Sequence, residues 1–194
     1  MLRQGQVIFF LKMDKPERVM IFIDGSNLYF ILKNLYKNSK EMSSFKFEKF
    51  ARHLAGNGKL IRTYYYNAIL DQQRDKGKYS KQQRFFEALK LIPDFEVIVC
   101  RMQKDHDSDG NIRYSVKGDD IHIAVDMVKL AYNDAYDKAI LVSSDGDFVP
   151  AIEAVKEKGK KVENIGFKNK FSWHLKQTCD RFTLLRKEDT DKFF

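Results

Sequence analysis

The chain is poor in cysteine, proline and glycine, and each shortage excludes a class of protein. Its 194 residues include two cysteines (Cys100 and Cys179), three prolines and ten glycines. Two cysteines without metal-ligand spacing do not make a disulfide scaffold or a zinc motif, and they favour a reducing, cytoplasmic location. No biased tract or solenoid-length repeat occurs. With 43% hydrophobic residues, we expect one folded domain.

Long hydrophobic runs are also missing. No stretch is long enough to cross a membrane, so we expect no membrane partner. The apolar residues 7–11 are too few for the core of a signal peptide. We predict that residues 1–18 are an N-terminal extension or leader, 19–185 the folded domain and 186–194 a C-terminal tail. Whether residues 1–18 add a strand is left open.

Acidic residues are outnumbered, with 27 Asp plus Glu against 35 Lys plus Arg, a net charge of +8 and a pI near 9.3. Such an excess favours a polyanionic partner such as nucleic acid, although lysines that only solvate the surface are an equal alternative. One basic cluster surrounds Tyr79, a mixture suited to a phosphate backbone and a stacked base. Its candidate substrate-binding residues are Arg74, Lys78, Lys81 and Arg84.

Apolar β-branched runs alternate with amphipathic segments along the chain. This alternation predicts an α/β fold with a mainly parallel central sheet and helices on both faces. One antiparallel hairpin is expected around Asp109-Gly110. The predicted strands are 19–23, 60–66, 95–100, 139–143, 162–167 and 182–185, and the predicted helices are 26–37, 47–54, 81–91, 119–132, 148–158 and 172–178.

Aspartates stand where two buried strands end. Asp24 follows the strand 19–23, and Asp145 and Asp147 follow the strand 139–143. Because ligands of open parallel sheets bind beyond the carboxyl ends of the strands, we expect these acids to meet there. Clustered carboxylates repel one another, and a divalent cation relieves that repulsion. Ser26 is expected to cap the helix that follows Asp24. The alternative for the acids is that they only cap helices, since Asp147 is well placed to cap the helix 148–158.

The helix from residue 119 contributes three further acids. Asp119 and Asp126 share one stripe of the helix, whereas Asp120 lies in its first turn beside Gly118. We expect Asp120 to point toward the strand ends. Whether Asp119 or Asp126 joins the same site is left open.

Three separated segments resemble the NYN domains of the PIN-like nuclease superfamily, in particular the LabA-like branch. The first is IFIDGSNLY at residues 21–29, the second KGDDIHIAVD at 117–126 and the third LVSSDGDFVP at 141–150. With GKKV at 159–162, they cover about residues 19–185 in the expected order. Ser144 departs from the resemblance, because the family tends to have glycine there.

The resemblance implies a Rossmann-like PIN fold and a metal-dependent phosphodiesterase acting on RNA. It implies a Mg²⁺ or Mn²⁺ site, with Asn27 as the polar partner of the first aspartate. Lys117 and Ser143 are candidates to contact phosphate near helix amino termini, although Lys117 also fits a solvated hairpin residue. The implied catalytic and metal-binding aspartates are Asp24, Asp120, Asp145 and Asp147.

We therefore predict a metal-dependent ribonuclease that hydrolyses phosphodiester bonds with a metal-activated water. The alternative is a non-catalytic nucleic-acid-binding or regulatory module with the same fold. A small-molecule phosphohydrolase is a weaker third interpretation, because Asp24 lacks a second acid two residues on. The preferred metal, the choice between RNA and DNA, and self-association are left open.

Overall fold

The structure is a computed structural model that describes residues 15–37, 39–73, 75–100 and 118–194, together with the backbone of strands 102–106 and 112–116. Arg74 and Lys117, two of the predicted substrate contacts, lie outside these residues, as does most of the predicted N-terminal extension 1–18.

Six parallel strands form the central sheet of the described chain, in the order β3-β2-β1-β6-β7-β8. The order reverses between β1 and β6, whose carboxyl ends open the crevice where such sheets bind ligands. Strands β4 and β5 pair antiparallel, so the predicted hairpin strands are confirmed. The strands are β1 Arg18–Asp24, β2 Lys59–Ala68, β3 Phe95–Cys100, β4 Met102–His106, β5 Ile112–Val116, β6 Lys138–Val142, β7 Lys161–Phe167 and β8 Arg181–Leu185.

Helices cover both faces of the sheet. The side chains of β1 alternate: Ile21 and Ile23 pack against α1, α2 and α3, whereas Phe22 packs against α4 and α5. The predicted fold class is therefore confirmed. The helices are α1 Gly25–Leu35, α2 Phe47–Ala55, α3 Lys76–Lys90, α4 Asp119–Tyr132, α5 Val149–Glu157, α6 Trp173–Thr178 and α7 Lys187–Asp191, with short 3-10 helices at Met42–Ser44 and Gly146–Phe148.

Two helix starts differ from the prediction because aspartates cap them. Helix α1 is capped by Asp24, whose side chain accepts from the backbone N–H of Asn27, so the prediction that Ser26 is the cap was wrong. Helix α3 begins at Lys76 rather than near Lys81, because Asp75 accepts from the N–H of Lys78. The basic residues of this segment therefore lie on a helix.

The last residues of the chain pack onto the domain. Helix α7 places Phe193, which is 1% exposed, against Phe50 of α2 with ring centroids 5.1 Å apart. The hydroxyl of Tyr36 also contacts the hydroxyl oxygen of Thr190 at 2.6 Å. The segment predicted as a tail thus contributes to the core beneath α1 and α2.

Candidate functional site

The site is built at the carboxyl ends of β1 and β6, where the strand order reverses. Asp24 is the last residue of β1, and residues 143–147 follow β6 directly. Strand pairing of Ile23 with Val142 brings the two ends side by side. Asp24 and Asp145 therefore meet at the edge predicted for them.

Asp24 is a buried carboxylate held by two donors. Its side chain is 4% exposed, and it accepts from the N–H of Asn27 at 2.9 Å and from the hydroxyl of Ser143 at 3.0 Å. Burial raises its pKa to about 7; these hydrogen bonds oppose the rise, and the charges of neighbouring aspartates add to it. Ionisation of Asp24 therefore lowers the stability of the fold.

The turn after β6 presents the next two aspartates. Ser143 donates to Asp24 and accepts from the N–H of Asp145 at 3.1 Å, so its hydroxyl joins the two strand ends. Asp145 in turn accepts from the N–H of Asp147 at 3.0 Å. Asp147 is exposed and does not cap α5, which begins at Val149 without a side-chain cap. The capping alternative for Asp147 is therefore wrong, and its carboxylate faces solvent.

Helix α4 adds a pair of adjacent carboxylates at its first turn. Burial, followed by the charges of Asp119, Asp145 and Asp147, raises the pKa of Asp120 to about 6. Asp119 is only 7% exposed, accepts from the N–H of Asp120 at 3.1 Å and also raises the pKa of Asp24. Asp119 therefore belongs to this acidic cluster, a point that the sequence left open.

Asp126 is occupied elsewhere. The hydroxyl of Tyr66, a fully buried residue of β2, donates to its carboxylate at 3.0 Å. Burial, together with this acid, raises the pKa of the Tyr66 phenol. This bond ties α4 to the sheet. The acidic cluster accordingly consists of Asp24, Asp119, Asp120, Asp145 and Asp147.

Asn27 links the two halves of the site through Ser144. Its side-chain oxygen accepts from the N–H of Ser144 at 3.2 Å and from the Ser144 hydroxyl at 2.9 Å. Asn27 thus contacts Asp24 through its backbone N–H, and its side chain holds the turn after β6. The departure at Ser144 has a structural consequence, since a glycine would lose one of these two bonds.

Gly25 allows the turn after Asp24 to lie close against β2. A Cβ atom at this position would stand 2.4 Å from the ring of Tyr65 and 2.6 Å from the backbone oxygen of Tyr66. The backbone oxygen has no room to retreat within the sheet. A side chain here would push α1, and with it the cap on Asp24, away from the site.

The donor set fits a hard divalent cation. The charges that raise the pKa values of Asp24 and Asp120 are those of other carboxylates, and carboxylate oxygens are the ligands that Mg²⁺ and Mn²⁺ prefer. Across the described residues, no three side chains of ligand type are arranged to hold an ion together. Mg²⁺ commonly binds through one or two carboxylates and retains several waters, which suits this more open arrangement.

Basic side chains are exposed on α3, which follows β2 and begins at the carboxyl edge of the sheet. Lys78, Lys81 and Arg84 are exposed on α3, and Lys78 also pairs with Asp75 at 3.0 Å. Strand β2 runs parallel beside β1, so the start of α3 lies at the same edge of the sheet as Asp24. Ser172 and His174 flank Gly146, neighbours that sequence reasoning missed because helix α5 and strand β7 separate them in the chain.

These features define a class of protein: a parallel α/β domain with an acidic cluster at its topological switch point. The NYN domain family model matches residues 18–186, and the chain belongs to this family within the PIN-like nuclease superfamily. Among the residues that the structure describes, no helix has the length and hydropathy needed to cross a membrane.

The chain is similar to three further proteins. It is 27% identical over 171 residues to the low amplitude and bright protein LabA of Synechococcus elongatus, covering 87% of this chain and 83% of LabA. It is 43% identical over 61 residues to the uncharacterized protein MJ0482 of Methanocaldococcus jannaschii, 31% of this chain and 25% of that protein. The crystal structure of VPA0982, a protein of unknown function from Vibrio parahaemolyticus, matches with a TM-score of 0.70 and 26% identity over 92% of this chain and 98% of that one.

Proposed function

We propose that the chain is a metal-dependent nuclease that hydrolyses phosphodiester bonds in RNA. The observation that carries this proposal is the acidic cluster: five carboxylates meet at the switch point of a chain whose net charge is +8. Concentrated negative charge in a basic protein that would bind a polyanion needs a cation between the two. Family membership supports the nuclease chemistry.

Four aspartates are proposed to surround Mg²⁺ or Mn²⁺, one or two binding the ion directly and the others through its waters: Asp24, Asp120, Asp145 and Asp147. When bound there, the ion supplies a positive charge on the phosphate and a water of lowered pKa. Asp147 is exposed and is the ligand nearest to incoming substrate, whereas Asp24 is buried and fixed.

The remaining site residues are proposed to position these acids. Ser143 holds the carboxylate of Asp24 and the backbone of Asp145, so we assign it this role in place of a phosphate contact. Asn27 holds Ser144 and, through its N–H, Asp24. Because the donors and acceptors are already paired, little reorganisation accompanies substrate binding.

The basic residues are proposed to bind the phosphate backbone on the β2 side. Lys78, Lys81 and Arg84 stand exposed on α3, and we add Arg74 and Lys117 from the sequence. Positive charge at one side of the acidic cluster draws the polyanion across it.

A non-catalytic nucleic-acid-binding module is the second candidate. The observation that favours it is that no three ligand side chains of the described residues are arranged to hold an ion. In that case the acids would serve as a scaffold, and RNA would bind without being cut.

Cleavage of labelled single-stranded RNA, structured RNA and DNA by the purified chain separates the two. We expect RNA to be cut with Mg²⁺ or Mn²⁺ and to stay intact in EDTA, and Asp145→Asn to abolish cutting. Asp94→Asn is the matched control, because Asp94 is exposed at the opposite edge of the sheet with a φ of 56°, which asparagine accepts equally well. Binding without cleavage under every metal, unchanged in Asp145→Asn, would establish the binding module instead.

A further inference from the structure

Four exposed aromatic side chains stand at the carboxyl edge of the sheet, outside the acidic cluster. On α1, Tyr29 is 41% and Phe30 58% exposed; near α6, Phe171 is 41% and Trp173 57% exposed. We call these four residues the aromatic platform. Burial of an aromatic ring stabilises a protein or complex more than burial of almost any other side chain. Four exposed rings at one edge of the sheet therefore indicate a binding surface.

The segment 168–173 places half of the platform beside the acids. At one end, the side-chain amide of Asn169 donates to the backbone oxygen of Ile31 on α1 at 3.2 Å. At the other end, the hydroxyl of Ser172 lies 3.2 Å from the point where a Cβ of Gly146 would stand. The segment therefore runs from the helix that follows Asp24 to the 3-10 helix between Asp145 and Val149.

Cationic side chains are interleaved with the rings. Lys168 and Lys170 are exposed in the same segment as Phe171 and Trp173. The ammonium of Lys176 lies 4.7 Å from the ring centroid of Trp173, and that of Lys33 lies 5.8 Å from the ring centroid of Tyr29. Aromatic faces beside lysines are complementary to bases joined by phosphates, and they suit a protein surface much less well.

We propose that the aromatic platform binds single-stranded nucleic acid by stacking unpaired bases, with Trp173 as its principal contact. This inference rests on the proposed nuclease function and names its substrate class as single-stranded. Bases in a duplex are already stacked on one another, whereas unpaired bases offer their faces to exposed rings. The strand would then run from the lysines of α3 across the acidic cluster to the platform.

Trp173 reports on this contact directly, because it is the sole tryptophan of the chain. In EDTA, where no strand is cut, we expect a short oligouridylate to quench the fluorescence of Trp173. Inorganic polyphosphate, which has the charge but no bases, should leave the emission unchanged, and a duplex of equal length should quench it much less.

Substitutions test the platform through binding of a labelled oligouridylate. We expect Trp173→Leu to weaken binding about tenfold and Trp173→Phe, which retains a ring, to recover most of that loss. Tyr132→Leu is the matched control: Tyr132 is 56% exposed with Lys158 at 5.0 Å from its ring. It ends α4, roughly 20 Å along the helix from Asp119, and its loss should leave binding unchanged.

Equal binding by Trp173→Leu and wild type, with both melting at the same temperature, would overturn the platform. Quenching by polyphosphate as strong as by oligouridylate would also overturn it. If Trp173→Leu lost self-association without losing binding of the oligouridylate, the rings would be assigned to contact with a second copy of the chain. Failure of the nuclease proposal is seen separately, as absence of cleavage in Mg²⁺ or Mn²⁺ while oligouridylate still quenches Trp173.

Discussion

Single residues at the switch point carry opposing demands. Asp24 is placed for a role in the site, yet burial opposes its ionisation and its two hydrogen-bond donors compensate only in part. Asp137, by contrast, accepts from the guanidinium of Arg18 at 2.7 Å and 3.1 Å. The same residue type therefore costs stability at one position and contributes it at the other.

Asp24→Asn should stabilise the metal-free chain while abolishing cleavage. Asparagine has the shape of aspartate and carries no buried charge, although its single side-chain oxygen accepts from only one of the two donors, the N–H of Asn27 and the hydroxyl of Ser143. We expect a gain of about 2 kcal/mol in the free energy of unfolding in EDTA above neutral pH, since each pKa unit corresponds to about 1.4 kcal/mol. Denaturant unfolding in EDTA and cleavage in Mn²⁺ measure the two effects. A loss of stability would show that the charge of Asp24 is compensated in solution.

Asp137→Asn should have the opposite effect, and only where Asp137 is ionised. Hydrogen bonds from Arg18 lower the pKa of Asp137 to about 2 from its ordinary value of 3.8. A lowered folded-state pKa stabilises above the unfolded value and is lost as the pH falls through the folded value. Wild type should therefore melt above Asp137→Asn at neutral pH. The difference should be only a few degrees, because both partners of the ion pair are more than a third exposed and solvent screens their attraction.

The melting difference between wild type and Asp137→Asn should close as the pH falls from about 4 to about 2. Thermal melts of both proteins across this range test the assignment. A difference that persists unchanged below pH 2 would mean that the ion pair of Asp137 is not its source.

At the scale of elements, the site depends on two turns that are far apart in the chain. The β1–α1 turn carries Asp24 and Asn27, and the turn after β6 carries Ser143 and Ser144; 117 residues separate Asn27 from Ser144. The bond between them fixes one turn against the other. The place of each acid within its own turn depends on neighbouring residues in the sequence. The distance between acids of different turns depends on the bond between Asn27 and Ser144.

Asn27→Ala should loosen that connection without removing an acid. It deletes the acceptor for both the N–H and the hydroxyl of Ser144, at about 1–2 kcal/mol of stability. We expect cleavage to fall more steeply than binding of RNA. Ser144→Ala is the graded control, because it removes one of the two bonds and should lose less. Identical cleavage by Asn27→Ala and wild type would show that the acids hold their spacing without this link.

At the scale of the whole molecule, acidic and basic side chains are unevenly distributed over the surface. The acidic cluster lies at the carboxyl edge of the sheet, the edge at which α3 with exposed Lys78, Lys81 and Arg84 begins and at which the aromatic platform stands. Under the proposed function, the net charge of +8 would attract nucleic acid to the whole surface, and the arrangement at this edge would direct it to the acids.

Reversing the three charges on α3 should weaken RNA binding and flatten its dependence on salt. For K78E, K81E and R84E together, the slope of log affinity against log salt should fall in magnitude by about 2. The control reverses Lys59, Lys129 and Lys158, which are exposed away from this edge, and changes the net charge equally. Equal slopes for the two triple variants would mean that net charge alone attracts the strand.

The sequence by itself determined the alternation of strands and helices, because the period of apolar residues and the residues at turns act over a few positions. It also placed Asp24, Asp145 and Asp147 at strand ends, since Asp24 ends β1 and the other two acids stand in the turn after β6. Only the tertiary structure decided that Asp24 caps α1, that Asp119 joins the cluster and that Asp126 is bound by Tyr66. Those outcomes depend on the direction of each side chain and on long-range contacts such as that of Ser143 with Asp24, 119 residues apart. The local pattern of apolar residues determines neither the directions nor the contacts.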